Sequence, residues 1–201
     1  RADLMRDLLV AVSQVEVDLV LGAASRFSFA VTDCYSHKLR IFQTGRGVDL
    51  LGILTFGAEM EIYMGYGDAK STPIAMKGMI TEISTSFPES GSPELAIAGY
   101  DHGFAMTIGK NSRTWSKARD SEAVHEIASF NNLAAIIEPT QETHAQIEKN
   151  QESDWEFLKK LAERNHFELY VDERKTLHFA KPNDKAGAVV QLVYGEGLLS
   201  F

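Results

Sequence analysis

The sequence predicts an α+β fold that is mainly β. An antiparallel β-barrel spans residues 1–108, an α+β segment with two helices and a β-hairpin spans 109–183, and the first strand or strands of a second, incomplete barrel occupy 184–201. Three observations predict this order. Apolar and polar residues alternate through most of the first part, the period-two signature of half-buried strands. From Ile108 the texture changes to helical spacings broken by polar stretches. Residues 151–182 then hold a capped helix, an abrupt stop and two short alternating runs around a charged turn.

The strands of the first part follow one another closely. Val15, Val17, Leu19 and Leu21 alternate with Gln14, Glu16, Asp18 and Val20, and Phe27, Phe29 and Val31 alternate with Ser28, Ala30 and Thr32. Residues 39–42 read as a shorter strand and 46–51 as a short helical connection. Gly57 opens a run with Met60, Ile62 and Met64 on one side and Glu59, Glu61 and Tyr63 on the other. Gly65 and Gly67 close it with backbone that tolerates positive φ. Residues 74–87 make a long strand in which Gly78 signals a bulge or a close backbone approach, and residues 94–100 complete the set. Several strands spaced by Gly and Pro turns favour an antiparallel barrel or sandwich.

Residues 109–118 read as polar and irregular, with Trp115 as their single large apolar side chain. Asp120 or Ser121 caps a helix whose buried stripe is Val124, Ile127 and Ala128, ending near Asn131 and Asn132. Residues 134–137 form a short strand before Pro139, and 140–150 are extended or loop. In the next helix Ser153 is the cap, and Glu156 reaches back to complete a capping box. Asp154 and Glu156 sit where the helix dipole favours negative charge, with Lys159, Lys160 and Arg164 towards the other end. Trp155, Leu158, Leu161 and Ala162 form one apolar stripe, and Asn165 marks the stop. Phe167, Leu169 and Val171 alternate with Glu168 and Tyr170, and Leu177 and Phe179 with Thr176 and His178, as in a hairpin with one buried face. Residues 183–187 read as a turn or linker and 189–194 as a fresh strand.

Composition excludes several classes of function. A chain of 201 residues with 44% hydrophobic and 24% charged residues is long enough to bury a core. A formal net charge of -8, with no basic run, argues against specific nucleic-acid binding, which needs Lys and Arg to displace counterions. The apolar runs fall short of the roughly 20 residues a membrane helix requires. Cys34 is the only cysteine, so an intramolecular disulfide and a cysteine-based metal site are excluded. The N-terminus shows no secretory signal and does not begin with Met, which reads as an edited or incomplete start.

The chemistry-bearing residues suggest no catalytic, cofactor-binding or metal site. His37, His102, His125, His144, His166 and His178 are scattered, and His125-Glu126 lacks the second histidine of a zinc-protease helix. Asp101 and His102 follow a strand end without an evident third partner. Glu59 and Glu61 share the outer face of a strand, where acid–base work is rarer than solvation. Ser153-Asp154 is accounted for by capping. The glycines at 45 and 47, and at 65 and 67, lack phosphate-loop spacing.

A family resemblance rests on the order of several motifs. Gln151, Ser153-Asp154-Trp155-Glu156-Phe157-Leu158, Ala162-Glu163-Arg164, Phe167 to Val171, and Leu177-His178-Phe179 resemble the phage late control gene D proteins. These are tail hub proteins related to the VgrG spikes of type VI secretion. Ala98-Gly99-Tyr100-Asp101 is similar to the family's strand end. Gly78 with Ile80, Thr81 and Ile83, and the helix from Val124 to Ala128, continue the likeness, which runs from about Val15 to Pro182. Asn165-His166 stands where a glycine is common, and the chain stops at Phe201 as a new element begins, which reads as truncation.

The resemblance implies a tail-tube-like first barrel, an α+β insertion and a second barrel. It implies a structural hub of a phage tail baseplate or related contractile injection system, joining a sixfold tail tube to a threefold spike. Self-association as a homotrimer, contact with tail tube and spike proteins, and residence in a virion or tail-like particle assembled in the bacterial cytoplasm follow from it. So does the absence of enzymatic activity, cofactors and membrane insertion. Two other readings stand beside it: a hydrolase using Asp101, His102 or the Glu59/Glu61 pair, and a peptide- or carbohydrate-binding β module with a cleft lined by Tyr63, Tyr66 or Trp115.

Overall fold

The computed structural model describes residues 3–65 and 72–183 and is mostly β, with a sheet curled into a half-barrel and few helices. The first strands are β1 (Ala11–Asp18), β2 (Arg26–Thr32), β3 (Tyr35–Ser36), β4 (Ile41–Phe42), β5 (Glu59–Tyr63), β6 (Ile74–Ser86) and β7 (Glu94–Asp101). Five of them form an antiparallel sheet in the order β1-β2-β7-β6-β5, while β3 and β4 pair separately. Among the described residues the sheet is open, with β1 and β5 as its edge strands, rather than a closed barrel.

Alternation on β2, β6 and β7 delivers Phe27, Phe29, Val31, Met76, Ile80, Leu95 and Ile97 to one face, where Cys34, Phe42, Leu50 and Leu54 from the connecting loop cover them. Met64, expected on the buried side of β5, lies exposed beyond the strand end. Gly78 and Gly99 allow the sheet to close over the Phe27 ring. A Cβ on Gly78 would lie 2.2 Å from the Tyr100 carbonyl, and one on Gly99 would lie 2.6 Å from the Phe27 ring. The register of β6 on β7 shifts between Ile80 and Glu82, so both the close approach and the bulge expected near Gly78 are present.

Residues 46–51 are not helical. The Thr44 hydroxyl accepts the N–H groups of Arg46 at 3.2 Å and Val48 at 3.1 Å, and Gly47 adopts φ +77°. A side chain that bonds its own backbone, beside a left-handed glycine, turns the chain back before a helix can start.

A 3-10 turn (His102–Thr107) leads to β8 (Asn111–Arg119), α1 (Asp120–Phe130), β9 (Ala134–Ile137), β10 (Thr143–Glu152), α2 (Asp154–Asn165), β11 (Glu168–Val171) and β12 (Thr176–Ala180). β8 and β10 are the two strands of one antiparallel ribbon whose register shifts between Lys149 and Glu152, which corrects the irregular reading of 109–118 and decides the extended-or-loop reading of 140–150 for extended. Their buried residues are only Trp115 and Ala118 on β8, and Ile147 with the charged Lys149 and Glu152 on β10. Too few apolar residues mark the buried face for alternation to show. β12 pairs antiparallel with β11 and parallel with β9, giving the hairpin one extra strand.

A second core gathers Trp115, Val124, Ile127, Leu158, Leu161, Leu169, Leu177 and Phe179, with Trp115 stacked on Phe157 at 5.2 Å between ring centroids. The capping box of α2 is as expected: Ser153 Oγ accepts the Glu156 N–H at 3.1 Å, and Glu156 accepts the Ser153 N–H at 2.9 Å. In α1 the box closes one residue early, with Glu122 accepting the Arg119 N–H at 2.7 Å. Asp120 serves instead in an ion pair with Arg164. The left-handed stop of α2 is His166 (φ 56°), while Asn165 remains helical and donates to the Leu161 carbonyl at 2.8 Å. The strand at 189–194 and the second barrel lie outside the described residues.

Candidate assembly surface and joint

The turn between β1 and β2 ties the two cores together through polar contacts. Gly22 donates its N–H to the Leu169 carbonyl at 2.9 Å and accepts the Trp155 indole N–H at 3.1 Å. Ser25 donates its N–H to Asp101 Oδ2 at 2.7 Å, and Asp101 Oδ1 takes the Gly103 N–H at 2.8 Å. Glu59 of β5 forms an ion pair with Lys175 of the β11–β12 turn. Gly103 has little room for a side chain: a Cβ would stand 2.9 Å from Asp101 Oδ1 and 3.0 Å from the Trp155 ring.

These contacts account for most of the residues a hydrolase would need. Burial pushes the Asp101 carboxyl up, against the pull of the Ser25 and Gly103 N–H groups, and both its oxygens are occupied as acceptors. His102 is buried, which lowers its pKa, and Lys175 and Lys77 lower it further against the pull of Glu59. Its Nε2 has no hydrogen-bond partner among the described residues. The Glu59 carboxyl is held below its usual range by the Lys175 hydrogen bond, and Glu61 lies 3.1 Å from Lys77. The structure therefore brings His102 and Glu59 into one neighbourhood, but as members of a lysine-neutralised cluster.

Of the aromatics named for a binding cleft, the described ones are Trp115 and Tyr63. Trp115 is core, its indole N–H given to Glu126, while Tyr63 is exposed and donates to Glu61 at 2.9 Å. Tyr66 lies outside the described residues. No group of three or more His, Cys, Asp and Glu side chains among the described residues is arranged to hold a metal ion.

Several large apolar side chains around the first sheet are exposed. Leu19, Val20 and Leu21 at the β1–β2 turn, Val48, Leu51, Ile53 and Phe56 on the β4–β5 loop, and Met64 and Ile74 at the β5–β6 end are exposed, Phe56 by 69%. The sheet face opposite the core is polar and small, with Gln14, Glu16, Ser28, Glu82, Ser84 and Ala96 around a shallow depression, and Arg26 paired to Glu82 at 3.5 Å. A groove of about 230 Å³ lies at the joint, between Leu19–Leu21, the start of β6 and the β11–β12 hairpin. Sequence reading marked Leu19 and Leu21 as strand residues. Only the turn geometry shows them as surface.

The fold is that of phage tail proteins. It is similar to the 43 kDa tail protein of prophage MuSo2 from Shewanella oneidensis, at 12% identity and TM-score 0.61 over 78% of this chain and 45% of that one. It is similar to the tail protein of Neisseria meningitidis MC58, at 16% identity and TM-score 0.59 over 87% of this chain and 47% of that one. A third similar structure is an E. coli component of the type VI secretion system, described as resembling the T4 bacteriophage tail proteins gp27 and gp5. It shows 12% identity and TM-score 0.50 over 85% of this chain and 48% of that one. The chain spans about half the length of these proteins. Residues 48–201 match the family model of the Alg8 N-terminal domain, and the chain belongs to that family. The matching model is not that of the late control gene D proteins, to which the motifs pointed. No curated protein matches the chain in sequence. No helix of the described residues is long and apolar enough to cross a membrane.

Proposed function

We propose that the chain is a structural part of a phage tail baseplate or related contractile injection system, acting as a hub of the late control gene D type. One observation carries this reading: an open half-barrel sheet with exposed apolar groups at its turns, on a fold shared with tail proteins over most of the chain. Its work is assembly geometry rather than turnover. Edge strands and apolar turns are covered by neighbouring copies in a threefold ring that meets the tail tube on one side and the spike on the other. In this arrangement residues 1–108 form the tube-like unit and 109–183 the inserted unit. The polar sheet face, carrying Glu16, Glu82 and Glu94 against Arg26, lines a lumen that does not hold passing nucleic acid.

Solution mass and electron microscopy of the complete protein test the proposal. Threefold rings are expected, and Phe56→Asp together with Leu21→Asp dissociates them into folded monomers. A monodisperse monomer at high concentration for the unsubstituted protein overturns the reading.

A further inference from the structure

At the foot of the β8–β10 ribbon a lysine, an asparagine and an aspartate meet. Lys149 is only 1% exposed, and its Nζ donates to Asn111 Oδ1 at 2.7 Å and forms an ion pair with Asp154 Oδ1. The other carboxylate oxygen of Asp154 accepts the Asn131 amide at 3.0 Å, which fixes how the carboxylate is turned. Glu152, which follows Lys149 on the same strand, is engaged by Lys160 instead. The three groups come from β10, β8 and the first residue of α2. They converge because the ribbon changes register between Lys149 and Glu152, with Gln151 at φ 48°, and α2 starts two residues later.

This set of groups has the parts of an acyl transfer. Nζ is a nucleophile, the Asn111 carboxamide carbon an electrophile, and Asp154 an acid–base group in contact with the nucleophile. With Lys149 shielded from water, an unpaired charge there is costly. Passing one proton along the Lys149–Asp154 hydrogen bond leaves a neutral amine beside a carboxylic acid. The carbon to be attacked lies one bond beyond the oxygen that Nζ already touches. The terminal torsion of an asparagine is soft, so turning the amide presents that carbon to the nitrogen. Groups held in contact by the fold need no encounter step. Asn111 is itself exposed, which gives a leaving group a way out.

We propose that Lys149 and Asn111 join in an isopeptide bond, with Asp154 as the proton carrier. Nζ adds to Asn111 Cγ while the Asp154 carboxyl protonates the carboxamide oxygen. The Cγ–Nδ2 bond then breaks and its nitrogen leaves as ammonia. The protons balance: the lysine ammonium brings three and the carboxamide nitrogen two, of which one stays on the new amide and four leave as ammonium. Asp154 ends as the carboxylate it began as, and no oxidant is consumed. The bond closes a covalent loop around α1 and β9, so the ribbon cannot open at its foot without breaking a covalent link.

The full chain is refolded, incubated at neutral pH and digested with trypsin for mass spectrometry. The expected product is Asn111–Arg113 joined to Asp120–Lys159, uncleaved at Lys149 and lighter than its two parts by one ammonia, about 17 Da. Asn111→Ala, a change at an exposed position, should abolish the joined fragment and restore cleavage at Lys149. Asp154→Ala should deplete it at least tenfold while the helical circular dichroism is kept. Complete cleavage at Lys149 in the unsubstituted chain overturns the proposal. So does ammonia lost from Asn111–Arg113 alone, which is cyclisation of the asparagine on its own backbone, or a joined fragment undiminished in folded Asp154→Ala.

Discussion

The two cores of this protein solve the problem of burial in opposite ways. The first is almost wholly apolar, built on a single face of a five-stranded sheet, with Asp101, His102, Ser25 and Thr44 as its buried polar residues. The second is threaded with charge. Lys149, only 1% exposed, reaches Asp154 and gives a hydrogen bond to Asn111 at 2.7 Å, and Asp120, equally buried, holds Arg164 and the Asn165 amide, the latter at 2.7 Å. The surfaces differ in the reverse sense. Among the exposed large apolar residues of the described part of the chain, all but Ile108, Phe130 and Ile136 precede residue 88. A simple core with an apolar exterior is what a subunit needs if neighbours are to finish its burial. A core pinned by paired charges and closed by its own helices holds one geometry by itself, as the inserted unit of the proposed assembly requires.

The largest effects will come from breaking either core by its own logic. Phe27→Ala removes a ring that is 1% exposed and wedged beneath Gly78 and Gly99. A loss of about 3–5 kcal/mol is expected in urea titration, since the glycine-to-glycine closure leaves no side chain able to refill the space. Lys149→Met should cost about 3 kcal/mol by leaving Asp154 without its cation. If instead the substitution is neutral, the buried charges of the second core specify geometry without stabilising it, and the two cores differ less in what holds them together.

The joint is expected to respond more weakly. Trp155→Phe keeps most of the buried ring but loses the indole hydrogen bond to Gly22, a change of about 1 kcal/mol. Hydrogen exchange at the Gly22 amide, which donates to Leu169, should accelerate more than exchange inside either sheet. Equal acceleration everywhere would mean that the two cores unfold as one unit.

The smallest effect is a pH dependence confined to α2. The Ser153 N–H, and after it the Ser153 hydroxyl, hold the Glu156 carboxyl below its usual range. A depressed carboxylate contributes stability above the unfolded value and loses it as pH falls through the folded value. The first turn of α2 should therefore loosen in acid below the ordinary carboxylate range, and Glu156→Gln should flatten that part of the acid titration followed by helical circular dichroism.

Much of this was legible in the residues because the relevant forces are local. Ser153 and Glu156 lie three apart and meet in the first turn of any helix that they begin. The stripe from Trp155 to Ala162 is set by helical period, and the alternation around residues 172–175 leaves a hairpin no other buried face. Even Gly78 carried its message, because only a glycine tolerates a neighbouring backbone at that distance. Where single residues had to declare a strand, as in β8 and β10, the pattern failed: a ribbon whose buried residues are one Trp, one Ile, one Ala, a Lys and a Glu shows no alternation, and the lysine is satisfied only when Asn111 across the ribbon and Asp154 at the start of α2 meet it. The helix expected at 46–51 failed similarly, undone by the Thr44 hydroxyl and a left-handed Gly47.

By itself, then, the sequence determined the helices, the hairpin, the long central strands and the apolar stripes that bury them, since each depends on contacts a few residues apart. The tertiary structure alone decided how far the sheet curls, that β7 stops at Asp101 while β6 runs on, and that Gly22, Ser25, Asp101 and Trp155 converge on one joint. Those outcomes depend on groups as far apart as the 133 residues between Gly22 and Trp155, whose meeting is set by packing of whole elements and leaves no local periodicity to read.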